Sequence, residues 1–111
     1  MPSFLMQVAY STEGLAAIIK NPQDRTEAVR KPIEKLGGKL NGAWFTFGDY
    51  DVAVIVEMPD NVSAAAMAMA FGAGGACKSV KTTPLLSPAE AVEALKKAGG
   101  TGYKSATAKK K

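Results

Sequence analysis

The segment FTFGDYDVAVIVE, residues 45–57, contains the residues best suited to chemistry, because Asp49 and Asp51 flank Tyr50 directly after Gly48. A carboxylate held beside apolar side chains has a raised pKa and can exchange a proton with a ligand, while a tyrosine hydroxyl donates a hydrogen bond. Asp51 and Tyr50 are therefore the candidate catalytic residues. The alternative interpretation is a turn, in which Asp51 only binds loop amides or a lysine of another subunit.

The composition narrows the chemistry open to this chain. It has no histidine, which excludes the Ser-His and Cys-His pairs that activate nucleophiles. Its one cysteine, Cys77, excludes an internal disulfide and a zinc site built from cysteine and histidine. We expect no metal and no cofactor, and an inert, buried Cys77 thiol.

Two apolar segments that meet near this motif predict a β-hairpin. Residues 40–47 and 50–57 are rich in aromatic and β-branched side chains. The Gly-Asp pair between them predicts a two-residue type II′ turn with Gly48 at positive φ. Phe47 and Tyr50 would then pair across the two strands.

Two further strands and the first helices are expected around the hairpin. Residues 3–10 form an apolar first strand, and residues 78–83 alternate as an edge strand closed by Pro84. Residues 15–20 predict a short helix. A second helix is expected to start with Asn21 as N-cap, Pro22 at its first position and Asp24 in its first turn, to contain Pro32 and to end at Leu36 before two glycines.

Cap signals define the two remaining helices. Asp60 or Asn61 caps an alanine- and methionine-rich helix that ends at Gly72. Ser87 and Glu90 form a capping box, which predicts a last helix reaching Ala98.

This order, β-α-β-β-α-β with one further helix, predicts an α+β, ferredoxin-like domain with an antiparallel sheet. A chain of 111 residues has the usual size of one domain. We assign residues 1–98 to that domain and residues 99–111 to a flexible tail rich in glycine and lysine.

The net charge of +4 comes from the tail. Residues 104–111 hold four lysines, so residues 1–103 carry ten basic and ten acidic side chains. We expect at most weak attraction of this tail to nucleic acid or an anionic membrane, since few phosphate contacts could form. No apolar run is long enough to cross a bilayer, and residues 1–7 lack the features of a secretory signal, which predicts a cytoplasmic protein.

The third strand is apolar on both faces. Val52, Val54 and Val56 alternate with Ala53 and Ile55, although the open face of a two-layer domain is expected to be polar. The sequence therefore predicts a homo-oligomer, a dimer or larger, in which a second copy covers that face. The alternative cover is the C-terminal helix.

The motif and its surroundings resemble a known family. Residues 36–57, LGGKLNGAWFTFGDYDVAVIVE, and residues 59–75, PDNVSAAAMAMAFGAGG, are similar to the small bacterial GYD domain family, named for its Gly-(Asp/Glu)-Tyr-Asp turn. The similarity covers about residues 2–95. It implies a ferredoxin-like fold assembled as in dimeric α/β-barrel proteins, and it carries no established reaction. The motif falls on residues 48–51, and the lysine tail lies outside the resemblance.

The topology also predicts where a pocket would open. The hairpin tip, the exit of the first strand and residues 72–77 fall at one end of the sheet. The candidate ligand-binding residues at this end are Tyr10, Ser11, Thr12, Gly48 and Asp49.

Two function classes remain open at this point. The first, which we favour, is a non-catalytic module that binds a small ligand or a protein partner. The alternative is a cofactor-independent enzyme in which Asp51 and Tyr50 transfer protons on a small hydrophobic substrate.

Overall fold

A computed structural model describes residues 1–107, which form four strands and four helices. In chain order these elements are β1 (Ser3–Tyr10), α1 (Thr12–Lys20), α2 (Thr26–Lys35), β2 (Lys39–Phe45), β3 (Val52–Glu57), α3 (Asn61–Ala73), β4 (Cys77–Leu85) and α4 (Pro88–Gly99). Three lysines of the predicted basic tail, residues 109–111, lie outside the described residues. None of the helices described is both long enough and apolar enough to cross a bilayer.

The strands form one antiparallel sheet in the order β2-β3-β1-β4. β1 and β3 lie at its centre, with Met6 opposite Val54. This is the order of a ferredoxin-like sheet, so the prediction of an α+β, ferredoxin-like fold with an additional C-terminal helix is confirmed.

The core lies between the helices and one face of the sheet. Its fully buried side chains are Met6, Ile33, Val54, Val56 and Met58. Val54 and Val56 occupy this face, whereas Ala53 and Ile55 lie on the other face and stay partly exposed. The predicted division of β3 into two apolar faces therefore holds.

The predicted start of the second helix is wrong. Asn21 is the C-cap of α1, where its amide donates to the Ala17 carbonyl at 3.0 Å, and no helix follows it directly. The chain continues without helix to Asp24, whose carboxylate accepts the Thr26 amide at 2.9 Å. α2 then begins at Thr26, five residues after Asn21.

The predicted two-residue turn is also wrong. β2 ends at Phe45 and β3 begins at Val52, and the Thr46 amide donates to the Asp51 carbonyl at 2.8 Å. This bond closes the hairpin around four residues, 47–50. Phe47 is 99% exposed and does not pack across the strands. Gly48 does take a positive φ, at 134°.

The end of β4 and the start of α4 follow from the residues at these positions. β4 continues past the predicted stop at Pro84 to Leu85, which an edge strand permits because the missing amide faces no partner strand. The capping box is confirmed: the Glu90 amide donates to Ser87 Oγ at 3.1 Å, and the Ser87 amide donates to Glu90 Oε1 at 2.9 Å.

α4 does not cover the open face of the sheet. No residue of α4 is buried, and Leu95 on its apolar side is 70% exposed. The alternative in which the C-terminal helix shields Ala53 and Ile55 is therefore wrong for the described chain.

Close contact with the backbone fixes the position of α1. The Ser11 amide donates to the Ala76 carbonyl at 2.8 Å, and Ser11 Oγ caps α1 by accepting the Gly14 amide at 3.0 Å. Gly14 is buried against Ala76, and a methyl group at Gly14 would overlap the Ala76 carbonyl oxygen. Only glycine lets α1 approach this segment so closely.

We expect Gly14→Ala to lower the free energy of unfolding by about 1–3 kcal/mol, since the backbone of Ala76 cannot move aside as a side chain can. Gly72→Ala is the matched control in α3, where the added methyl group meets no atom. It should raise stability by about 0.5–1 kcal/mol through the better helix propensity of alanine. Urea denaturation measures both changes, and equal effects at the two positions would contradict the packing argument.

Candidate functional site

Asp51 joins the end of β1 to the base of the hairpin. Its Oδ2 accepts the Tyr10 amide at 2.8 Å, and its own amide donates to the Val8 carbonyl at 2.8 Å. The pairing of β1 with β3 ends at Val8 and Val52. The carboxylate thus supplies a hydrogen-bond acceptor where the regular sheet ladder has stopped.

The other residues of the motif form the hairpin loop. The Tyr50 carbonyl accepts the Thr46 hydroxyl at 2.8 Å, and the Tyr50 side chain is half-buried. Gly48 and Asp49 are exposed at the tip. The motif therefore builds a turn whose last residue, Asp51, reaches into the fold.

Ser11 and Thr12 begin α1 next to residues 75–77. Besides capping α1, the Ser11 hydroxyl donates to the Gly75 carbonyl at 3.3 Å. Thr12 is exposed. The structure therefore brings the β1 exit, the base of the hairpin and residues 72–77 to one end of the sheet, as the topology predicted, but the polar groups of Ser11 serve the fold.

Two adjoining cavities lie between α1, α2 and the core face of the sheet. Their volumes are about 240 and 390 Å³, and the larger falls in the range of about 300–1,000 Å³ usual for small-ligand pockets. Both are lined by Tyr10, Arg25, Val29, Val52 and Val54. We call the pair the helix-side cavity.

Most of the remaining lining of the helix-side cavity is apolar. On the α1 side it includes Ile18, together with Phe71 of α3 and Cys77 at the start of β4. On the β2 side it includes Ala43, Trp44 and Phe45. The other polar residues of the lining come from the segment between α1 and α2 and from the start of α2; they are Asn21, Gln23, Asp24 and Thr26. A predominantly apolar lining favours an apolar ligand body.

Tyr10 and Cys77 enter this cavity in their neutral forms at neutral pH. Burial raises the pKa of the Tyr10 hydroxyl, and Cys77 raises it further, while Arg25 acts in the opposite direction and Asp51 adds a last increase. Burial also raises the pKa of the Cys77 thiol. The Tyr10 hydroxyl is therefore a hydrogen-bond donor in the cavity.

Arg25 brings a positive charge to the cavity. It lies in the segment between α1 and α2, where its Nη1 donates to Gln23 Oε1 at 3.2 Å. Within residues 1–107 the structure shows one ion pair, Arg30 Nε to Glu27 Oε1 at 3.0 Å, so Arg25 has no carboxylate partner there.

The neighbouring Asp24 carboxylate is engaged locally. The Thr26 hydroxyl and amide both donate to it and hold the pKa of Asp24 below its usual range. No group of three cysteine, aspartate or glutamate side chains in the described part of the chain is arranged to hold a metal ion.

Of the residues proposed from sequence, the helix-side cavity includes Tyr10. Ser11, Thr12, Asp49, Tyr50 and Asp51 do not line it, and neither does Gly48. Sequence reasoning missed Arg25, because it assigned residues 21–25 to a helix start. The signal that was available is the Asn-Pro-Gln-Asp run before Arg25, which also fits a loop between two helices.

The fold and the Gly-Asp-Tyr-Asp hairpin place the chain among small α+β domains. Comparison of the sequence with family models identifies the family. The family model described as GYD domain matches residues 4–95. The chain therefore belongs to the GYD domain family, as the motif indicated. A search of curated proteins gives no match to this sequence.

We expect Asp51→Ala to lower the free energy of unfolding by about 1–3 kcal/mol, because it leaves the half-buried Tyr10 amide without an acceptor. Asp51→Asn keeps an oxygen acceptor and should lose less. Asp49→Ala, in the same motif but exposed at the tip, should be nearly neutral. Thermal unfolding of the three variants checks this order, and a neutral Asp51→Ala would show that the Tyr10 contact contributes nothing.

Proposed function

We propose that this GYD domain is a non-catalytic, homo-oligomeric module that binds a small, largely apolar ligand in the helix-side cavity. The observation that carries the proposal is the cavity itself, with Val29, Val52 and Val54 forming its apolar wall and Tyr10 and Arg25 as its shared polar groups. The family resemblance and the sequence composition support a bacterial, cytoplasmic setting.

The position of Asp51 favours binding over proton transfer. Its carboxylate accepts the Tyr10 amide and lies outside the lining of the helix-side cavity. A general base must reach the proton that it removes, within hydrogen-bond distance or through one water. The alternative, an enzyme that uses Asp51 and Tyr50, would therefore need a ligand bound elsewhere.

Large side chains introduced at the cavity lining should weaken the binding of a neutral, apolar dye. We expect N-phenyl-1-naphthylamine to fluoresce with the unaltered protein. Val29→Trp and Ala17→Trp, which place an indole at the lining, should weaken binding at least about tenfold, or ~1.4 kcal/mol. The measurement is a fluorescence titration.

Val62→Trp is the matched control, since Val62 is 79% exposed on α3 and lies away from the cavity lining. Thermal unfolding identifies any variant that has lost its fold. Two variants are used because Val29 packs against the core, whereas Ala17 is exposed on α1. No binding by the unaltered protein, or equal binding by folded cavity variants, would contradict the proposal.

The basis for the proposed homo-oligomer is the open face of the sheet. Leu5 lies opposite Ile55 on this face, and Ala53 lies opposite Gln7. Trp44 is also on this face and is 56% exposed, with its ring packed over Gly42. An apolar sheet face that its own chain leaves uncovered is stabilised by a second copy stacked sheet on sheet.

We expect the unaltered protein to sediment as a homo-oligomer at micromolar concentration and Ile55→Lys to sediment as a monomer, because the lysine would place an unpaired charge in the interface. Val62→Lys, on the exposed side of α3, should leave the assembly unchanged. Sedimentation velocity checks the three proteins. A monomeric unaltered protein, or an unchanged Ile55→Lys assembly, would contradict assembly through this face.

A further inference from the structure

Two polar side chains are shared by both parts of the helix-side cavity, Arg25 and Tyr10. The positive charge of Arg25 acts to lower the pKa of the Tyr10 hydroxyl, against the larger raising effect of burial. Both are hydrogen-bond donors, and arginine has no acceptor at all. The cavity therefore presents two donors, one of them charged, next to an apolar wall.

The charge of Arg25 is not neutralised within the described chain. Its one hydrogen bond there is to the uncharged Gln23, at 3.2 Å. Arg30 on α2 differs from Arg25 in this respect, because its Nε forms an ion pair with Glu27 Oε1 at 3.0 Å. Arg25 is exposed and solvated in the free protein, so its charge is available to an acidic ligand.

The nearest carboxylates are not paired with Arg25. Asp24 precedes Arg25 in the chain, but its carboxylate is held by Thr26 at the start of α2. The Asp51 carboxylate contributes to the raised pKa of the Tyr10 hydroxyl, but its Oδ2 already accepts the Tyr10 amide. A carboxylate ligand entering the cavity would therefore find no carboxylate of the described residues already paired with Arg25.

We infer that the ligand of the helix-side cavity is an apolar monocarboxylic acid, whose carboxylate binds Arg25 and the Tyr10 hydroxyl and whose hydrocarbon body packs on Val29, Val52 and Val54. This inference rests on the proposed function. A guanidinium binds a carboxylate through two parallel hydrogen bonds, which fixes orientation as well as charge.

The charges around the cavity favour a single negative charge on the ligand. A dianion such as a phosphate monoester would meet one arginine and be repelled by Asp24 and Asp51. A cationic ligand would be repelled by Arg25 and would find those two carboxylates already hydrogen-bonded. An uncharged ligand could form only weaker hydrogen bonds to the guanidinium than a carboxylate forms.

Naphthalene-2-carboxylate and naphthalene-2-carboxamide, which share one hydrocarbon body and differ in charge, test this inference. Calorimetric titration near neutral pH should show the carboxylate binding the unaltered protein at least about tenfold more tightly than the carboxamide, or ~1.4 kcal/mol. Arg25→Gln should remove this difference by weakening the carboxylate alone. Arg25→Lys, which keeps the charge without the two-pronged geometry, should lie between them.

Two further variants separate a direct contact from a general effect of charge. Tyr10→Phe should weaken the carboxylate several-fold and the carboxamide less, since it removes one donor, keeps the ring, and a charged acceptor forms the stronger hydrogen bond. Arg30→Gln removes the same charge from α2 at a position outside the cavity lining. It should leave both titrations unchanged.

Protection of Cys77 reports occupation of the cavity independently of calorimetry. Cys77 lines the larger part and is the single cysteine of the chain, so iodoacetamide alkylates one known position. The reaction is carried out at alkaline pH, because burial raises the pKa of the Cys77 thiol and the thiolate is the reacting form. A bound ligand should slow this alkylation. Equal affinity and equal protection by the two probes would overturn the carboxylate inference while the binding function stands. No binding and no protection by either probe would overturn both.

Discussion

The hydrogen bond between the Tyr10 amide and the Asp51 carboxylate, at 2.8 Å, is the constraint on which the rest of this end of the fold depends. It joins residues 41 positions apart at the point where the pairing of β1 with β3 stops. The amide of Asp51 donates to β1 as well, so the hairpin base is tied to the central strand through one residue. Asp51, the residue that the sequence offered first for chemistry, therefore has a structural role.

That bond also sets the geometry of the cavity. It holds Tyr10 at the exit of β1, from where its ring lines the helix-side cavity. The next residue, Ser11, donates its amide to the Ala76 carbonyl and caps α1 with its hydroxyl. α1 can lie this close to Ala76 because residue 14 is a glycine. The apolar wall of the cavity combines Val54, which is a core residue, with Val29 and Val52, which pack against the core.

The two faces of the sheet then take different roles. The face with Val54 and Val56 is covered by helices of its own chain and holds the cavity, whereas the face with Ala53 and Ile55 is left open. Since α4 buries none of its residues, it leaves that open face uncovered. The proposed ligand binding and the proposed assembly would therefore use opposite faces of the sheet.

The sequence by itself determined the features that neighbouring residues decide. The apolar pattern of residues 3–10 matches the observed bounds of β1, and the Ser87 and Glu90 capping box starts α4 as expected, because both signals are carried by residues close together in the sequence. The tertiary structure alone decided the hairpin loop and the surroundings of Arg25. Asp51 binds Val8 and Tyr10 of β1, which are distant in the sequence, so the hairpin closes at Asp51 around a longer loop than Gly48 and Asp49 favour by themselves. Only the packing of the helices on the sheet brings Arg25, in the loop between α1 and α2, beside the cavity.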